Sequence, residues 1–244
     1  MRIGYSAMGR LMPYAADLAA TREGTYSVPE LVMAWGRGWA VSRGTSAPVG
    51  VSGGFRVDVG LPGHRVRHVL HTYDAGSLGR LGRELTDPGT WIKASGDPDE
   101  FRAALPDGWT VDTAGYLMTV WFREGAVEPR SGYTIRVDTE PDTGVVVATV
   151  LDGARETAAS GRLAPAGEFG IVDKVETEPA HRRRGLGTVV IRTLADRAAA
   201  GGMRTGILVA TDDGRALYRS LGWTVRSDVP GAYRPETSGP GLRR

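Results

Sequence analysis

The chain has no cysteine. That excludes disulfides, a cysteine nucleophile and thiolate metal sites, and it fits a reducing compartment. Lysine is nearly as scarce. Only Lys93 and Lys174 contribute to the 30 basic residues, so arginine carries almost all of the positive charge. Against 28 acidic residues, the formal net charge is only +2. No run of basic residues is interleaved with aromatics on the scale that binds a strand, so no nucleic-acid partner is expected. Apolar runs are short. None approaches the ~20 residues needed to cross a bilayer, so no membrane partner is expected either. Residues 1–24 lack a clean hydrophobic stretch ahead of a small-residue cleavage site, so no signal peptide is read and a cytoplasmic location is expected. Scarce lysine with abundant Arg, Gly and Ala points to a high-GC bacterial source.

Histidines are few, at positions 64, 68, 71 and 181. His68 and His71 are an odd number apart in a predicted strand, so they face opposite sides and cannot chelate one ion together. No metal site is expected.

What is present is organised in two halves. In the C-terminal half, Tyr133–Val137 and Val145–Val150 are β-branched runs separated by the turn Pro141–Gly144. Thr157–Leu163 and Gly167–Thr177 are two further predicted strands. Leu186, Val190, Leu194 and Ala198 recur every four residues, which predicts a helix with one apolar stripe packed on a sheet, ended by Gly201-Gly202. A short strand at Gly206–Ala210 follows. Then comes a helix capped by Asp212 or Asp213 and broken at Gly222, and a strand at Trp223–Arg226. In the N-terminal half, helices are predicted at Pro29–Trp39, Ser77–Leu85 and Asp97–Leu105. Strands are predicted at Phe55–Val59, Arg65–His71 and Gly115–Phe122. Alternating strands and helices argue an α/β class. Gly125, Pro129 and Gly132 among polar residues mark a boundary. The expected units are 1–128, 129–235 and a mobile tail, 236–244.

The sharpest feature is the segment from Val175 to Thr188, VETEPAHRRRGLGT. A strand ends in Glu178-Pro179. Arg182, Arg183 and Arg184 follow, then Gly185-Leu186-Gly187 and the amphipathic helix. Gly185 and Gly187 allow a tight turn and close approach of a ligand. The helix points free N–H groups and the positive end of its dipole at the same place. The combination makes a pyrophosphate cradle. No Gly-Lys-Ser/Thr follows it, so it is not a nucleotide-triphosphate P-loop. A second motif, TDDGRALYRSLGW, runs from Thr211 to Trp223.

The ordered pair resembles the acetyl-CoA-binding core of the GNAT acyltransferase superfamily, over roughly Ser131–Pro235. Arg182, Gly185 and Gly187 match its R/Q-x-x-G-x-G/A loop. Leu217, Tyr218, Leu221, Gly222 and Trp223 match its A-x-x-L-Y-x-x-L-G-F/W signature. The resemblance implies a mixed, mostly antiparallel central sheet flanked by helices, and an acyl-CoA-dependent N-acyltransferase, most simply with acetyl-CoA as acyl donor and no metal. It implies that Val175, Glu176 and Thr177 lie along the pantetheine arm. It implies that Arg182, Arg183, Arg184, Gly185, Leu186, Gly187 and Thr188 hold the pyrophosphate. Tyr218 matches the tyrosine that protonates the departing thiolate. The base is open between Glu176 beside the thioester and a carboxylate or water elsewhere on the strand; Ile171 occupies one position where the family places a glutamate. Members of the family insert helices between the first two strands to wall the acceptor site. Here a turn stands in their place, so the N-terminal half is expected to supply the wall, either as a degenerate copy of the same fold or as an unrelated cap. The expected partner is the primary amine of a small molecule such as a secondary metabolite or antibiotic, bound by a monomer or homodimer. A protein or peptide amine, and a non-catalytic acyl-CoA-binding module, are the alternatives.

Overall fold

The computed structural model describes residues 26–125 and 128–236. The segment read for a signal peptide and the tail beyond Glu236 lie outside the described residues.

The first described element, helix α1 (Val28–Arg43), starts at a capping box in which Ser27 accepts from the Glu30 amide and the Glu30 carboxylate takes the Ser27 N–H. It is longer than the predicted Pro29–Trp39. Three strands follow, β1 (Val49–Val51), β2 (Gly54–Leu61) and β3 (His64–Leu70). Helix α2 (Ala75–Glu84) leads to β4 (Thr90–Ala94), and helix α3 (Pro98–Ala104) to the long strand β5 (Thr110–Trp121). The C-terminal half begins with four antiparallel strands, β6 (Thr134–Thr139), β7 (Val146–Leu151), β8 (Thr157–Ala166) and β9 (Phe169–Thr177). A 3-10 turn at Pro179–His181 precedes helix α4 (Leu186–Ala200), strand β10 (Thr205–Ala210), helix α5 (Asp212–Ser220) and strand β11 (Thr224–Tyr233).

All the strands join one 11-stranded sheet in the order β1-β2-β3-β4-β11-β5-β10-β9-β8-β7-β6. The two central strands are exchanged between the halves. β5, from the N-terminal half, lies between β10 and β11 and pairs antiparallel with both. β11, from the C-terminal half, lies between β4 and β5. On either side of this pair the chain repeats one order: an antiparallel hairpin, a helix, a strand parallel to the hairpin's second strand, a helix and a final strand. β3 and β4 are parallel across α2, as β9 and β10 are across α4. The sheet therefore runs unbroken across the boundary expected near residue 128.

The core follows the two faces of the sheet. Leu186, Val190, Leu194 and Ala198 of α4 are all buried and pack with Val172, Leu163 and Val150 on one face. Helix α1 covers the other face: Leu31, Val32, Trp35 and Trp39 pack with Ala164, Ile171 and Ile207 of the C-terminal half. A Cβ on Gly38 would collide with the Ile171 side chain, so the helix lies directly on β9. A third cluster, around Ile92, Leu78 and Phe101, draws on the N-terminal half and on Ala232 of the exchanged strand β11. Two expectations need correction. Thr211, rather than Asp212 or Asp213, caps α5, its hydroxyl accepting from the Gly214 amide at 3.2 Å. The strand at Thr90–Ala94 is absent from the sequence reading, although its burial alternates perfectly.

Without β5, β10 and β11 have no neighbour in common. The fragment 129–244 is therefore expected not to fold cooperatively: thermal melts by circular dichroism should lack a sigmoidal transition, and its amide spectrum should be poorly dispersed. A sharp melt of that fragment would show that β5 is dispensable.

Candidate functional site

β9 and β10 are paired only at Phe169–Ile171 with Thr205–Ile207. Beyond those residues the two strands part. On its other side β9 also leaves regular pairing: the register with β8 slips between Ser160 and Arg162, opposite Lys174 and Val175. Lys174 takes φ 49°, a left-handed conformation that marks the bulge. The gap between the parting strands is a cleft of about 680 Å³. Val172–Glu176 of β9, Leu208–Ala210 of β10 and the start of α5 with Tyr218 line it from the C-terminal half. Trp35, Trp39 and Arg43 of α1, Arg67 of β3, Lys93 of β4 and Asp112–Gly115 of β5 close it from the N-terminal half. Helix α1 thus lines the cleft, and the Pro141–Gly144 turn does not.

Just past the cleft, β9 ends and the basic turn begins. Gly185 takes φ 79°, and a Cβ there would meet no protein atom within 4 Å. Gly187 is different in kind: a Cβ would stand 3.1 Å from the Leu217 side chain, so it lets α4 sit close to α5. No side chain caps α4. The other four described α-helices are capped by Ser27, Asp74, Asp97 and Thr211. The first amides of α4, from Leu186 to Thr188, therefore have no intrahelical or capping partner. The arginines divide their roles. Arg182 Nε donates to the Thr177 carbonyl at 3.2 Å, tying the turn to β9. Arg184 donates to the Tyr133 hydroxyl at 2.8 Å, and that hydroxyl also meets His181 Nδ1 at 3.0 Å. Arg183 is exposed and has φ 61°. Open space at an uncapped helix start that follows three arginines is a site that a pyrophosphate fits.

Tyr218 is buried and faces the cleft beside Trp223, with ring centroids 5.7 Å apart. Its hydroxyl has no hydrogen-bond partner among the described residues. Burial, and then the nearby Asp173, push its pKa up to about 12, so it holds its proton throughout the physiological range. Asp173 is engaged elsewhere: Arg43 binds it through Nε at 2.6 Å and Nη2 at 2.8 Å, and the buried Ser42 hydroxyl donates at 3.0 Å. Glu176 is exposed and lines the cleft. It makes no ion pair or hydrogen bond among the described residues. Ile171, where the resemblance places a glutamate, is fully buried under α1.

The structure therefore brings Val175, Glu176 and Tyr218 to one cleft and sets Thr177 and Arg182–Thr188 at its outer end. Sequence reasoning did not find Arg43, Arg67, Lys93 and Asp112. These are isolated polar residues on four elements, gathered only by the sheet order. Among the described residues no group of three or more His, Asp or Glu stands together as a metal site, and no helix is long and apolar enough to cross a membrane.

Comparison with known proteins agrees with this geometry. Residues 150–229 match the model of the FR47-like protein family. A GCN5-related N-acetyltransferase from Kribbella flavida superposes with a TM-score of 0.57 at 16% identity, covering 93% of this chain and 97% of that one. A GNAT-family protein from Novosphingobium aromaticivorans superposes with a TM-score of 0.51 at 20% identity, covering 86% and 99%. No curated protein is similar enough to match. The C-terminal half has the GNAT fold, within a mixed α/β chain whose sheet is mostly antiparallel.

Proposed function

We propose that the protein is an acyl-CoA-dependent N-acyltransferase that transfers an acetyl group to the primary amine of a small molecule. One observation carries this reading. The uncapped start of α4 opens at the end of β9, and the bulged edge of β9 leads from there into a cleft that holds the protonated Tyr218.

The acyl donor supplies an activated thioester carbonyl and a thiolate leaving group. The protein's tasks follow from those needs. Leu186–Thr188 amides and the turn arginines bind the pyrophosphate, where helix dipole and guanidinium charge act together. The edge of β9 released from β10, around Val175 and Thr177, offers backbone groups along the pantetheine arm. Amides there stabilise the charge that grows on the carbonyl oxygen. Tyr218 donates its proton to the leaving sulfur. Glu176 takes the amine's proton, directly or through a water. On the cleft wall of β9 it is the free carboxylate, because Asp173 is held by Arg43 and Ser42. The acceptor lies between the halves, held within near-attack distance by α1, β3 and β4.

The donor site is tested by calorimetry with coenzyme A on Gly185→Val. A β-branched side chain would occupy the open cradle and strain a left-handed backbone, so binding should be lost; unchanged affinity would contradict the assignment. The chemistry is tested by thiol release from acetyl-CoA over a panel of amines. Tyr218→Phe and Glu176→Gln should each lower turnover by roughly 10²–10⁴-fold while coenzyme A affinity stays nearly intact. Full turnover in either variant, with the chemical step rate-limiting, would remove that residue from the mechanism. Coenzyme A binding without thiol release on any amine would favour a binding module.

A further inference from the structure

The N-terminal wall of the cleft holds three cations and too few anions for them. Arg43 is neutralised by the forked contact with Asp173. Lys93 Nζ lies 3.7 Å from Asp112. Arg67 has no carboxylate partner among the described residues. Its Nε donates to His64 Nε2 at 3.0 Å, and its guanidinium carbon sits 4.5 Å from the centre of the buried Trp39 ring. These two contacts fix the plane of the group and leave its terminal amino groups without an acceptor among the described residues. The same side chain lines the cleft.

We propose that the acceptor amine also carries a carboxylate, and that Arg67 receives it at the N-terminal end of the cleft. The inference rests on the acyltransferase reading and adds the substrate class. Partly buried charge without a counter-ion is costly, and a fixed guanidinium fork matches the two oxygens of a carboxylate. His64 supports the arrangement. Burial, then Arg67 itself, push its pKa down to about 4, so at neutral pH it is uncharged and accepts from Arg67 instead of repelling it. Arg67 remains a cation at that pH, although burial and Arg43 pull its pKa down to about 10. Glu176, Asp212 and Asp213 line the same cleft on its C-terminal side, and their negative charge disfavours a phosphate dianion more than a carboxylate. Arg67 and Tyr218 line the same cleft, so the anion site and the transfer site share one chamber.

The test uses the full chain and matched probes: glycine and glycinamide, phenylalanine and phenylalaninamide, 4-aminobutyrate and its amide, with O-phosphoethanolamine as the phosphate arm. Each is measured by thiol release with acetyl-CoA and, separately, by thermal shift without it. At least one carboxylate should raise the melting temperature and react with a KM roughly 10–100-fold below that of its amide, as expected for loss of a charge-assisted hydrogen bond. Arg67→Met should erase the difference, and Arg67→Lys should restore part of it, with coenzyme A affinity unchanged in both. Amides that bind or react as well as their carboxylates would overturn the proposal. So would a preference that survives Arg67→Met, a stronger response to O-phosphoethanolamine, or no thermal shift with any carboxylate. Failure of the acyltransferase reading looks different: coenzyme A does not bind, or no amine releases thiol.

Discussion

A parallel pair of strands that stops pairing is the constraint on which the rest of the structure depends. β9 and β10 share hydrogen bonds over three residue pairs and then diverge. Divergence leaves backbone groups that a continuous sheet would satisfy, and buried groups of this kind need partners. The bulge at Lys174–Val175 turns the edge of β9 further out of register. A ligand that lies along the open edge, with its phosphates on the uncapped amides of α4, completes the hydrogen bonding that the fold withholds. The same opening exposes Tyr218 to the cleft while keeping it dry enough to hold its proton.

An open sheet of this kind would come apart unless something else joined its halves, and β5 and β11 do so. Each final strand crosses into the other half, so neither half has a complete sheet alone. The repeat of hairpin, helix, parallel strand, helix and strand makes the N-terminal half a topological copy of the C-terminal one. The two equivalent helix starts differ, and the reason is local. At the start of α2, the helix equivalent to α4, Asp74 caps the Ser77 amide at 2.9 Å and Ser77 returns the contact. A carboxylate already occupies the end of the dipole, where it satisfies the amide and repels phosphate. The N-terminal half contributes instead to the cleft lining, through α1, Arg67 and Lys93.

Much of the donor site was legible in the sequence because it is contiguous. Gly185 and Gly187, the α4 stripe and the Leu217-Tyr218 motif all sit within one stretch of chain, and their spacing carries their geometry. The acceptor side was not legible. Trp39, Arg43, Arg67 and Lys93 come from three elements joined by a strand exchange that no periodicity encodes. Thr90–Ala94 escaped notice because five residues between Gly89 and Gly96 carry too little pattern to stand out. The cap of α5 was misread because Thr211, Asp212 and Asp213 are all competent caps, and only the backbone decides among them. The absence of helices between β6 and β7 did signal that the wall must come from elsewhere, and α1 supplies it.

The most direct measurement of the central claim is an amide chemical-shift titration of the full chain with coenzyme A. The account predicts that the largest shifts fall on Leu186, Gly187 and Thr188, with a second group along Val175–Thr177, while the amides of Ala75–Ser77 at the equivalent helix stay unmoved. Shifts at Ala75–Ser77, or none at Leu186–Thr188, would contradict it.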